Sequence, residues 1–132
     1  MRKLRNREEK LDYAKVFENM VTAVANYLEE CHLESMVLGI SGGIDSTVAA
    51  AICCEVHKRT GKSFIGISLP TSTNENDEIT VANYVGAEFC DIFNKFTMNE
   101  AVDAVKKMCD FTGGDTTPLI LGNIKARLRM IA

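Results

Sequence analysis

The chain is 132 residues long, with 15 Lys and Arg against 18 Asp and Glu, a formal net charge of −3, 46% hydrophobic and 25% charged residues. That length gives one domain over residues 1–132 with room for one core, and the mildly acidic balance argues against general nucleic-acid affinity. No apolar stretch approaches the ~20 residues needed to span a bilayer, and the basic run Arg2 to Lys10 has no apolar signal core behind it. The expectation is a cytoplasmic protein with no membrane and no nucleic-acid partner. Five cysteines, Cys31, Cys53, Cys54, Cys90 and Cys109, form no C-x-x-C pair. They read as buried free thiols in a reducing compartment rather than as zinc ligands or a disulfide framework.

In chain order, residues 7–31 read as an amphipathic helix with Phe17, Val21, Val24 and Leu28 on one stripe. Residues 36–41 read as a buried strand feeding a glycine turn. Residues 46–59 form the next helix, carrying Val48, Ile52 and Val56 and stopped by Gly61. Phe64 to Leu69 reads as a second strand, ended by Pro70. A polar loop follows from Thr71, then a third helix from Glu75 to Val85 closed by Gly86. Residues 88–92 read as a third strand. Asn99 to Phe111 is a helix with Val102, Val105 and Cys109 on one face, broken by Gly113-Gly114. Thr117 and Pro118 then suggest a cap and first turn for a last helix. Gly122 within it costs about 1 kcal/mol relative to alanine, which leaves Asn123 as an alternative start.

Strands alternating with helices imply an α/β fold, three-layered, with a parallel sheet, right-handed crossovers and helices on both faces. Ligands in such sheets sit beyond the carboxyl ends of the strands, where the glycine turn and the Leu69-Pro70-Thr71 loop both lie. The turn itself, Gly39-Ile40-Ser41-Gly42-Gly43-Ile44-Asp45-Ser46, has the composition of a phosphate cradle. Glycines allow a tight bend, and free amides at the following helix start face the anion. Ser41 and Ser46 can add hydroxyls. It lacks the lysine of the GxxxxGK[ST] loop. Asp45 would repel phosphate unless a cation intervenes, so a magnesium ion shared between Asp45 and pyrophosphate oxygens is the economical account. As a plain helix-dipole partner it would contribute about 0.3–1 kcal/mol.

A second motif, Gly122-Asn123-Ile124-Lys125-Ala126-Arg127-Leu128-Arg129-Met130, places an apolar stripe at 124, 128 and 131. Arg127 and Arg129 leave that helix on different sides, so one can face a ligand while the other forms an ion pair. His32 and His57 have no partner at metal-ligand spacing and read as structural or solvent-facing. Met20, Met36, Met108 and Met130 read as core filler. The Thr71-Ser72-Thr73 loop reads equally as a surface turn or as a contact for adenine or ribose.

The pattern Ser-Gly-Gly-x-Asp-Ser resembles the pyrophosphate loop of the ATP pyrophosphatase superfamily. Joined to the downstream GNIKARLRM run, it resembles the NAD synthetase family of the ammonia-dependent type, over that family's N-terminal half. The resemblance implies an adenine nucleotide alpha-hydrolase-like (Rossmann-like) fold in truncated form. It implies ATP, magnesium, deamido-NAD and free ammonia as the reacting set. Gly39, Ile40, Ser41, Gly42, Gly43, Ile44, Asp45 and Ser46 would hold ATP phosphates, Asp45 would ligate the metal, and Arg127 would contact deamido-NAD. It also implies a homodimer, an unpaired sheet edge along residues 36–41, and little turnover by the half alone. Competing readings are another ATP pyrophosphatase, such as a GMP synthetase-like or tRNA-thiolating enzyme, and a non-catalytic ATP-binding remnant or interaction module.

Overall fold

A computed structural model describes residues 11–72, 74, 76–111 and 117–131. Within them the first helix, α1, spans Tyr13–Glu30 and is capped by Asp12, whose Oδ1 accepts from the Lys15 amide at 3.1 Å. The expected start at residue 7 lies outside the described residues. The helix ends in a paired closure, with the His32 amide on the Glu29 carbonyl at 3.1 Å and the Leu33 amide on the Leu28 carbonyl at 2.8 Å. His32 occupies the left-handed position of this closure at φ 54°, which glycine more commonly fills. That is the structural role expected of it.

Strand β1 (Ser35–Gly39), helix α2 (Ile44–Thr60), strand β2 (Ser63–Ser68), helix α3 (Asn76–Phe89) and strand β3 (Ile92–Lys95) follow. The three strands form a parallel sheet in the order β1-β2-β3, with Met36 opposite Phe64 and Ile65 opposite Ile92. Each parallel step needs a crossover, and α2 and α3 supply them. Because side chains alternate along a strand, Met36, Ile40 and Phe64 all face one side. There they meet Val21 and Leu28 of α1, Ala50 and Val56 of α2, and Ala82 and Val85 of α3. Phe64, Ile40, Val21 and Val56 are fully buried. Each such side chain contributes about 1.5–3 kcal/mol relative to exposure. On the opposite side Val37 is 64% exposed and Ile92 45%, while Ile65 and Ile67 are half-buried. β1 is an edge strand of the described sheet, as expected.

The third helix and third strand depart from the sequence reading. α3 does not close at Gly86 but runs three residues further, and β3 begins at Ile92 instead of residue 88. Gly86 is buried, and a Cβ there would collide with the Phe93 ring. The glycine thus serves close approach of helix and strand, not termination. Helix α4 spans Asn99–Phe111 as expected, with Val102 buried and Val105 and Cys109 half-buried. Gly113-Gly114 lies outside the described residues. Helix α5 spans Pro118–Ile131 and packs on α4. Thr117 caps it, accepting from the Ile120 amide at 3.3 Å through Oγ1 and from the Leu121 amide at 3.0 Å through its carbonyl. The Asn123 start is therefore set aside, and Gly122 is carried inside the helix. On α5, Ile124 is buried and Leu128 half-buried, but Ile131 is 81% exposed, so the stripe is shorter than the spacing predicts.

Of the methionines expected in the core only Met36 is buried; Met20, Met108 and Met130 are exposed, and Met98 is buried in their stead. Helical spacing alone could not tell which side of α1 would face the core or which side of α4 would face α5. Of the cysteines expected to be buried only Cys54 is; Cys53, Cys90 and Cys109 are half-buried, and Cys31, at the C-cap of α1, is exposed. Burial, and then the neighbouring thiols, push the Cys53 and Cys90 thiols up from the usual range. Among the described residues no helix is long and apolar enough to cross a membrane.

Candidate functional site

The turn between β1 and α2 is built in three steps. Gly39 ends β1. Ile40 continues the sheet for one more bond, donating its amide to the Ile67 carbonyl at 2.8 Å, and buries its side chain in the core. The chain then leaves the sheet at Ser41 and bends at Gly42, whose φ is +87°. A Cβ at Gly42 would run into the Glu78 carbonyl on α3. Both the backbone angle and the close approach require glycine here.

Helix α2 starts without a side-chain cap: Gly43 stands at the cap position and has no side chain to accept from the first-turn amides. The amides of Ile44, Asp45 and Ser46 precede the first intrahelical bond, which the Thr47 amide makes to the Gly43 carbonyl at 3.1 Å. The two serine hydroxyls meet behind them, 3.1 Å apart. Ser46 Oγ donates to the Gly43 carbonyl at 2.9 Å, and Ser41 Oγ accepts from the Gly43 amide at 3.3 Å. Thr47 Oγ1 adds a bond to the same Gly43 carbonyl at 3.0 Å. The hydroxyls thus hold the shape of the turn, while the uncapped helix start supplies partial positive charge to whatever lies in front of it.

Asp45 is exposed in the first turn of α2 and makes no ion pair among the described residues. Among those residues no three His, Cys, Asp or Glu groups gather as a metal cluster. The donor chemistry fits a magnesium ion that takes one carboxylate from the chain and its other oxygens from phosphate and water.

In front of the turn lies a cavity of about 380 Å³. Gly39, Ser41 and Gly43 form one part of its wall, and Ile40, Ile67, Ile79 and Ala82 line it with apolar surface. Leu69 and Pro70 close it from the loop after β2, so the two segments at the carboxyl ends of β1 and β2 do converge. That volume lies at the small end of the ~300–1,000 Å³ common for ligand pockets. Four further polar residues line it: Ser68, Asn74, Glu78 and Arg129. Of the two α5 arginines, Arg129 is at the cavity, with Nη2 3.5 Å from the Leu69 carbonyl. Arg127 is exposed and outside the lining.

The polar side of the cavity was not legible beforehand. Thr71 is buried; its amide donates to Asn74 Oδ1 at 2.8 Å and its hydroxyl to the same oxygen at 3.0 Å. Asn74 Nδ2 in turn donates to Glu78 Oε2 at 3.0 Å. The loop is held on its other side by the Ser72 amide on Asn99 Oδ1 at 2.7 Å and the Met98 amide on the Pro70 carbonyl at 3.1 Å. The sequence signal was a run of polar residues after Pro70, which marks a loop without saying which side chains turn inward.

Comparison with known proteins agrees with this geometry. The family model described as NAD synthase matches residues 16–132. The NH(3)-dependent NAD(+) synthetase of Finegoldia magna is 33% identical over 124 residues, covering 92% of this chain and 47% of that protein. The crystal structure of an NAD+ synthetase from Burkholderia pseudomallei superposes with a TM-score of 0.76 at 31% identity, over 92% of this chain and 56% of that one. The NH3-dependent NAD synthetase of Campylobacter jejuni, solved with a nitrate ion, gives a TM-score of 0.77 at 27% identity, over 91% of this chain and 49% of that one. The chain spans about half the length of these relatives. Its parallel sheet with crossover helices is the α/β fold of adenine nucleotide alpha-hydrolase type that they share, and the chain belongs to the NAD synthase family.

Proposed function

We propose that residues 1–132 form one nucleotide-binding domain that grips ATP in an ammonia-dependent synthesis of NAD. The observation that carries this reading is the uncapped start of α2 opening onto a cavity at the carboxyl ends of β1 and β2. Family membership supports the reaction. In it the nicotinate carboxylate of deamido-NAD attacks the α-phosphorus of ATP, and the bond from that phosphorus to the bridging oxygen breaks to release pyrophosphate. Ammonia then attacks the acyl carbon, AMP leaves with the carboxylate oxygen, and the added nitrogen gives up a proton to become the amide.

In this reading the amides of Ile44, Asp45 and Ser46 face the pyrophosphate oxygens, and Ser41, Gly42 and Gly43 hold the bend that aims them. Gly39 and Ile40 anchor that bend to the sheet. Asp45 would hold magnesium, which neutralises phosphate charge when bound. Arg127 would meet deamido-NAD, for which a guanidinium provides paired donors to an anion. The same reading makes the protein a cytoplasmic homodimer.

Isothermal titration of the chain with magnesium and a non-hydrolysable ATP analogue tests the grip. Binding in the micromolar range is expected. Ser46→Ala, which removes a hydroxyl from the turn, is expected to weaken it about tenfold with little change in thermal stability. Absence of binding by the unaltered chain overturns the reading. Titration with deamido-NAD, and an AMP-release assay with ATP, deamido-NAD and ammonia, separate a synthetase from an ATP-binding module.

A further inference from the structure

Glu78 belongs to no motif of the sequence, yet it lines the cavity and touches both the glycine turn and the polar loop. Its carbonyl is the group that Gly42 approaches too closely for any side chain, and its carboxylate accepts from Asn74. Asn74 has one amide oxygen and two N–H donors. The oxygen is committed twice, to the amide and hydroxyl of buried Thr71. One donor is committed to Glu78 Oε2. These three bonds fix which way the amide points, because reversing it would set its oxygen against a carboxylate and its N–H group against the Thr71 amide.

We propose that Glu78 sets base selectivity in the nucleotide cavity, as the acceptor beside the Asn74 amide that it helps to hold. Held this way, Asn74 offers its remaining N–H donor beside a carboxylate acceptor. Both side chains line the cavity, next to apolar surface from Ile40, Ile67 and Ile79 that suits a flat ring. A donor next to an acceptor matches a purine bearing a 6-amino group, which presents a ring-nitrogen acceptor next to an N–H donor. A 6-oxo purine presents an oxygen where the amino group would be, and that oxygen meets the carboxylate unfavourably. Glu78 shares the first turn of α3 with Asp77, so its charge toward the helix dipole is duplicated while its bond to Asn74 is not. The proposal rests on the ATP-binding reading above.

The test titrates the full chain with Mg·ATP and Mg·GTP, for the unaltered protein and for Glu78→Leu, Glu78→Gln and Asp77→Asn. The unaltered chain is expected to prefer ATP by about tenfold to a hundredfold. Glu78→Leu, which removes the acceptor beside the Asn74 amide, is expected to bring the ratio close to one by weakening ATP far more than GTP. Glu78→Gln retains an oxygen that accepts from Asn74 and is expected to restore most of the preference. Asp77→Asn removes an equal charge from the same turn and is expected to leave the ratio unchanged. A preference that survives in Glu78→Leu overturns the proposal while leaving ATP binding intact, as does equal weakening of both nucleotides. Failure of the unaltered chain to bind ATP overturns the underlying reading and the proposal together.

Discussion

The two ends of α2 are finished in opposite ways. At its C-terminus Gly61 takes the left-handed conformation at φ 71° and returns its amide to the His57 carbonyl at 2.8 Å. His57 Nδ1 bonds to the Lys62 carbonyl at 2.9 Å, and Lys62 reaches back to the Leu33 carbonyl at 2.7 Å. Arg59 joins Glu18 of α1 through two bonds of 2.6 and 2.8 Å and Glu55 of its own helix at 2.9 Å. The N-terminus has glycines, two serines bonded to each other and no cap. The chain spends its own polar groups where it needs rigidity and withholds them where an anion is to be received. An unfinished helix end is informative when the other end of the same helix is tied down so fully.

Both ends contain a glycine at positive φ, which allows the contrast to be broken at either one. The largest effect is expected at Gly42→Ala. Left-handed strain and collision with the α3 backbone add there, giving a loss of about 2–4 kcal/mol in urea unfolding and no measurable nucleotide binding. Gly61→Ala meets open space, so only the backbone strain remains. A loss of about 1 kcal/mol with unchanged nucleotide affinity is expected. If Gly61→Ala weakened nucleotide binding as much as Gly42→Ala, the distinction between the two ends would fail.

The smallest effect concerns Arg59. Its guanidinium, foremost through the hydrogen bond, holds the Glu18 carboxyl below the usual carboxylate range. A group whose pKa is lowered on folding stabilises the fold above its unfolded value and loses that contribution as pH falls. Arg59→Met is therefore expected to lower the melting midpoint slightly at pH 7. The gap from the unaltered protein should narrow as pH drops below about 4.3, and narrow also in high salt. Both groups are solvent-exposed, so this effect should rank below the two glycine substitutions.

What could be read from the sequence was what depends on local chemistry. The β-α-β order followed from alternating patterns, and the turn at 39–46 from glycine and serine placement. Thr117-Pro118 gave the start of α5. What escaped depends on contacts between distant elements. Gly86 looks like a stop until Phe93 is seen against it. Met20 and Met108 look like core residues until α1 has packed on the core and α4 on α5. Arg129 is distinguished from Arg127 only once α5 lies beside Leu69. The pairing of Asn74 with Glu78 across a polar loop likewise needs α3 in place against the turn.

The uneven fate of the thiols has a practical consequence. Cys31 lies exposed at the C-cap of α1, whereas Cys54 is enclosed and burial pushes the half-buried Cys53 and Cys90 thiols up from the usual range, away from the reactive thiolate. A maleimide fluorophore applied at neutral pH would mark Cys31 ahead of those three. The dye would then report from the hinge between the first helix and the border strand of the sheet, remote from the nucleotide end and free of any engineered residue.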